Sequence, residues 1–179
     1  MNPFDVAAAL KTMTVLVDTR EQDTERARAR LRRIGVPVER EKLDCGDYSA
    51  KCSALSLKGK VAIERKMNLN ELSQCFCQGR KRFEREFERA RKAGTKMYLL
   101  IENASLDAAY RHQYQTKMDS KAMVASIFAW LARYDCQVLF CDDLTSGQVI
   151  HDVLYRELKE RLEQMPDEEV KEDAEAGVD

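Results

Sequence analysis

Residues 96–103, KMYLLIEN, constrain the architecture more than any other stretch. An apolar run of this length with charge at both ends is a buried strand, and a strand buried in that way needs layers on both sides of its sheet. TVLVDTRE (14–21), KGKVAIERK (58–66) and CQVLFC (136–141) repeat the pattern of apolar strands, the first two emptying into charge. VPVEREKLDCGDYSAKC (36–52) reads as two strands joined at Asp44-Cys45-Gly46.

Helical segments separate these strands. DTERARARLRRIG (23–35) ends on a glycine, as a helix stop does. Residues 68–94 read as one long helix whose Leu72, Phe76, Phe83, Phe87 and Ala90 recur at helical spacing and face the core. SKAMVASIFAWLARY (120–134) is apolar almost all round, which leaves it either internal or buried against a second subunit. Residues 147–164 close the fold with Ile150, Val153, Leu154, Leu158 and Leu162 on one side. The expected order is strand, helix, a three-strand meander, long helix, strand, helix, strand, helix. That order describes an α/β domain of three layers with a central mixed sheet. The expected organisation is a lead-in at 1–13, one domain at 14–165 and an acidic disordered tail at 166–179.

A formal net charge of −1 conceals an asymmetry. The last fourteen residues hold seven acids and one lysine, so the body before them is mildly basic, which is compatible with a nucleic-acid partner. No apolar run is long enough for a bilayer span, and the N-terminus lacks the basic-then-apolar order of a secretory signal, so a cytoplasmic location is expected. The six cysteines contain no CxxC pair and read as reduced thiols.

The chemistry gathers at strand ends. Asp18 and Glu21 follow the first strand, Asp47 opens another, and Glu64 and Lys66 close VAIERK on one face, because side chains two apart on a strand share a side. An acid followed about sixteen residues later by Glu-x-Lys suits metal-assisted phosphodiester cleavage. Carboxylates hold a hard cation, the cation activates water, and the ammonium supports the developing charge.

VDTRE (17–21), GDY (46–48), IERK (63–66) and QGRKRFEREF (78–87) together closely resemble the XPF-type structure-specific endonuclease domain, a branch of the PD-(D/E)XK nucleases. The resemblance spans about residues 14–160 and implies a restriction-endonuclease-like fold. It implies a DNA endonuclease acting on branched or flapped duplex in repair, recombination or phage DNA metabolism. The implied cofactor is Mg²⁺, with Mn²⁺ as a substitute. Carried over residue by residue, Asp18, Glu21, Asp47, Glu64 and Lys66 form the catalytic centre, with Asp47, Glu64 and Asp18 on the metal. Arg20, Arg65, Asn70, Arg80, Arg82 and Arg85 are the supporting or DNA-binding residues. A homodimer through the C-terminal helices is also implied.

Two departures stand beside the resemblance. The family pattern places an aspartate where this chain has Asn70, which motivates the alternative of a catalytically weak or inactive DNA-binding subunit. No helix-hairpin-helix modules follow the domain, so it is similar to compact bacterial or phage members.

Overall fold

The computed structural model describes residues 1–166 of the 179-residue chain. Apart from Pro166, the stretch expected to form an acidic disordered tail lies outside the described residues.

In chain order the elements are α1 (Pro3–Leu10), β1 (Thr14–Val17), α2 (Glu25–Ile34), β2 (Val38–Arg40), β3 (Tyr48–Lys51) and β4 (Val61–Lys66). There follow α3 (Leu69–Phe76), α4 (Arg80–Ala93), β5 (Lys96–Glu102), α5 (Leu106–Tyr110), α6 (Ser120–Tyr134), β6 (Gln137–Cys141) and α7 (Ser146–Gln164). Local chemistry sets several boundaries. Thr24 accepts from the Ala27 N–H to start α2, and Gly35 ends it at φ 76°, a conformation that costs glycine little.

The six strands form one mixed sheet in the order β2-β1-β3-β4-β5-β6. β4, β5 and β6 run parallel, β3 is antiparallel to both β1 and β4, and β2 is parallel to β1. The expected meander of β2, β3 and β4 is therefore corrected, because β1 lies between β2 and β3. Helix α2 returns the chain to the end where β1 began, so β2 takes the free edge in parallel. There its three residues stay exposed, a short charged strand suited to an unprotected edge.

Helices cover both sheet faces. One core gathers α1, α2 and α7 around Val6, Ile34, Tyr48, Ile63, Leu154 and Leu158. The other gathers α3 to α6 around Phe76, Phe83, Phe87, Leu99, Ile127 and Trp130. The lead-in is thus part of the packed body through α1. Helices α6 and α7 lie on opposite faces, and α6 buries one side through Met123, Val124, Ser126, Ile127 and Trp130 while Phe128 on the other remains 44% exposed.

The expected long helix is two helices, broken at residues 77–79. Cys77 leaves helical geometry (φ −102°, ψ −91°), and the Gly79 N–H donates to the Gln74 carbonyl at 2.9 Å. On a straight helix two positions seven apart rise by about 10 Å. Here the Phe76 and Phe83 ring centroids are 6.0 Å apart, and both rings contact Trp130, at 4.8 and 5.3 Å. The break therefore folds the apolar stripe around a single indole.

All six cysteines are free. No helix among the described residues is long and apolar enough to cross a membrane.

Candidate active site

Strand β4 divides its last three side chains between the two faces of the sheet. Glu64 and Lys66 point towards α3 and α4, and the Lys66 ammonium donates to Glu64 Oε1 at 2.5 Å. Both are buried, at 5% and 8% exposure. Asp47 arrives from the turn before β3. Its main-chain N–H donates to the Ile63 carbonyl at 2.8 Å, and its Oδ2 accepts from the Arg65 N–H at 2.8 Å.

The turn itself is tightly packed. Gly46 has φ +72°, and a Cβ there would meet the Ala62 Cβ at 2.9 Å and the Ile63 carbonyl oxygen at 3.0 Å. Glu86 of α4 accepts from the Gly46 N–H at 3.0 Å. Strand β4 thus holds the Asp47 carboxylate, and α4 holds the turn that carries it.

The electrostatics favour a cation. Burial pushes the Asp47 carboxyl up to about 6, against the pull of Lys66 and of the Arg65 N–H. Burial also pushes the Glu64 carboxyl up, with the neighbouring Asp47 adding to the shift and Lys66 opposing it. Lys66 is disfavoured as a cation by burial, but Glu64, Cys75 and Asp47 outweigh that and raise its pKa, so it remains an ammonium. Two carboxylates that cannot both ionise comfortably form a donor set that a hard divalent cation would satisfy. Each acid also keeps one oxygen beyond the bonds above. No group of three His, Cys, Asp or Glu residues close enough to hold a metal occurs among the described residues. Asp47 and Glu64 are therefore the two carboxylates that could face a divalent cation here, with water filling its other positions.

These residues line a cavity of about 620 Å³. Arg20, Arg82 and Arg85 line it too. The other expected residues lie elsewhere. Asp18 is buried at the end of β1, where Arg20 grips it through Nε at 2.6 Å and the Leu43 N–H donates to Oδ2 at 2.7 Å. Its carboxylate orients Arg20 and is not a cavity wall. These bonds hold its pKa below the usual aspartate value despite the opposing effect of burial.

Glu21 and Arg65 meet on the other face of the sheet. Arg65 reaches Glu102 Oε2 at 3.2 Å and Glu21 Oε1 at 3.5 Å. Arg30 of α2 joins them, donating to Glu102 Oε1 at 2.8 Å, to Glu21 at 3.2 Å and to the Tyr48 hydroxyl at 3.1 Å. Asn70 sits in the first turn of α3, where its Oδ1 accepts from the Gln115 N–H at 2.7 Å. Arg80 is occupied by Glu84 at 3.0 Å and lies over the Trp130 ring at 5.3 Å.

Four residues of this arrangement escaped the sequence reading. Glu86 and Arg89 line the cavity from α4, where they flank the apolar stripe of Phe83, Phe87 and Ala90 among many other charges. Arg30 and Glu102 build the buried network behind it. A signal existed for Glu102, an acid closing an apolar strand. None existed for Arg30, one of five arginines in α2.

A sequence model of the ERCC4 domain matches residues 17–152. No curated protein matches the chain. Among solved structures, XPF from Aeropyrum pernix superposes with a TM-score of 0.59 at 18% identity, covering 86% of this chain and 62% of that one. The same archaeal protein in complex with DNA gives a TM-score of 0.60 at 20% identity, covering 86% of this chain and 68% of that one. The chain thus spans less than two thirds of the length of the first of these structures. With three quarters of its residues under one family model and its mixed sheet reproduced in these structures, the chain belongs to the ERCC4 domain family and has the restriction-endonuclease-like fold of XPF-type nuclease domains.

Proposed function

We propose that this protein is a Mg²⁺-dependent DNA endonuclease, with Mn²⁺ as a substitute, that hydrolyses phosphodiester bonds in branched or flapped duplex. The observation that carries the reading is the meeting of Asp47, Glu64 and Lys66 in one cavity rimmed by arginines. Family membership, and the archaeal relative solved with DNA, support it.

Asp47 and Glu64 would hold the cation. When bound, it would lower the pKa of a coordinated water and neutralise charge on the phosphate. Lys66 is held as an ammonium by Glu64 and sits where it can orient the attacking water and offset the charge developing on the phosphate oxygens. Arg82 and Arg85, exposed on α4 with no side-chain partner among the described residues, offer phosphate contacts at the rim. Asp18 serves by fixing Arg20, and Glu21 by fixing Arg65 behind the catalytic strand.

The proposed unit is a homodimer assembled in the cytoplasm. Strand β6 ends the sheet with Val138, Leu139, Phe140 and Cys141 only half-buried between α6 and α7, which leaves an edge for a second copy.

The test is cleavage of end-labelled flap, fork and linear duplexes in Mg²⁺ by the full chain and by Lys66→Ala. Cutting near the branch that disappears in Lys66→Ala and in chelator is expected. Absence of cutting on every substrate in both Mg²⁺ and Mn²⁺ would overturn the reading. In that event the runner-up, a DNA-binding subunit without catalysis, would be tested by measuring fork binding.

A further inference from the structure

The catalytic cavity does not end at Lys66. Lys66, Cys75, Gly79 and Arg82 also wall a second hollow of about 510 Å³, which continues outward over the end of α3. Its remaining lining is Glu71, Gln74 and Gln78. The two spaces share a wall but differ in chemistry. The first is rimmed by Arg20, Arg85 and Arg89, whereas the second adds two neutral amides and a carboxylate to the shared Lys66 and Arg82.

We propose that this second hollow is a subsite for one unpaired DNA base beside the scissile phosphate. The inference rests on the nuclease reading and adds how the substrate is recognised. Away from the shared wall of Lys66 and Arg82 the only charged lining residue among the described residues is Glu71, which repels phosphate, so that outer part suits the uncharged part of a nucleotide. Gln74 and Gln78 are exposed, and neither side-chain amide has a partner among the described residues. Each carries donors and an acceptor, the complement of a base edge. An isolated amide can address a Watson–Crick edge only when the base is unpaired, which selects the junction of a flap or fork. Arg82 stands at the boundary and would hold the phosphate that joins the two nucleotides.

The break between α3 and α4 creates this geometry. Gln74 belongs to the last turn of α3, and Gln78 lies in the break, where Gly79 packs its α-carbon close to the preceding turn. A Cβ at Gly79 would lie 3.4 Å from both the Cys75 Cα and the Gln74 carbonyl oxygen. Glycine at this position adds no side chain to the wall of the hollow.

The test uses the full chain on forks with 2-aminopurine placed, in turn, at each of the three unpaired nucleotides next to the junction. Binding is followed by fluorescence with Ca²⁺ in place of Mg²⁺. A change is expected at one position and is expected to be lost in Gln74→Ala/Gln78→Ala, whose exposed positions leave the core intact. In Mg²⁺, an abasic residue at that position should lower kcat/KM about tenfold for the wild type, in line with the loss of a bidentate base contact. The ratio of intact to abasic substrate should fall to about one in the double variant. Cleavage that is abolished by Lys66→Ala but indifferent to base and glutamines overturns this inference alone. A glutamine-dependent fluorescence change without cleavage keeps the subsite and overturns the nuclease reading. Silence in both assays overturns both.

Discussion

The Arg65 N–H donates to Asp47 Oδ2 at 2.8 Å on one side of the sheet, while its guanidinium holds Glu102 Oε2 at 3.2 Å on the other. One residue thus ties the candidate cation site to a buried ion network. Removing the guanidinium leaves Glu102 and Glu21 short of a partner in a poorly solvated place. Arg65→Ala should cost about 3–5 kcal/mol in urea unfolding, with Arg65→Lys recovering part of that but not the forked geometry. An Arg65→Ala protein as stable as wild type would show that the network is dispensable.

The raised carboxyls make stability fall with pH. Asp47 moves from 3.8 to about 6, and Glu64 also moves up, so the folded state binds more protons than the unfolded one in between. Their contribution is complete below the unfolded values and is lost as pH rises through the folded ones. Without divalent ions, urea unfolding should show a loss of about 1–3 kcal/mol between pH 5 and 8.5. Glu64→Gln should flatten that slope, and added Mg²⁺ should restore stability at the alkaline end. Identical slopes for wild type and variant would refute the assignment.

Asn70 faces the 113–116 loop through its bond to the Gln115 N–H. An aspartate can accept the same bond, so Asn70→Asp should change kcat less than about threefold. Asn70→Ala should instead loosen the loop and lower the melting temperature by a few degrees, the order expected for losing about 1 kcal/mol. A large gain of cleavage in Asn70→Asp would mean that the side chain addresses the cation after all.

Gly46 combines a positive φ with contact against β4. Gly46→Ala should destabilise by about 2–4 kcal/mol and displace Asp47, lowering Mn²⁺ affinity measured by calorimetry. Gly59, also at positive φ but facing open space, is the control, and Gly59→Ala should cost about 1 kcal/mol and leave Mn²⁺ affinity alone.

Much of this was legible in the chain because period two fixes the faces of a strand. Glu64 and Lys66 had to share a side once VAIERK was a strand, and their place in the cavity follows from that. Asp18 and Glu21 were harder, because loops after a strand carry no periodicity. One turns back to Arg20 and the other crosses to Arg30 and Arg65. The break at Cys77–Gly79 was hidden as well, since Phe76 and Phe83 are seven apart and satisfy a continuous helix equally well. Strand order failed for a related reason: β2 is too short and exposed to announce its neighbour.

Trp130 is the only tryptophan of the chain, and Arg80 and Arg133 lie over its ring at 5.3 and 5.9 Å. Cations at that range affect indole emission, and both arginines are surface-accessible enough to be drawn off by polyanions. The protein therefore carries its own optical gauge: intrinsic fluorescence, without any label, should register when a phosphate backbone settles along α4.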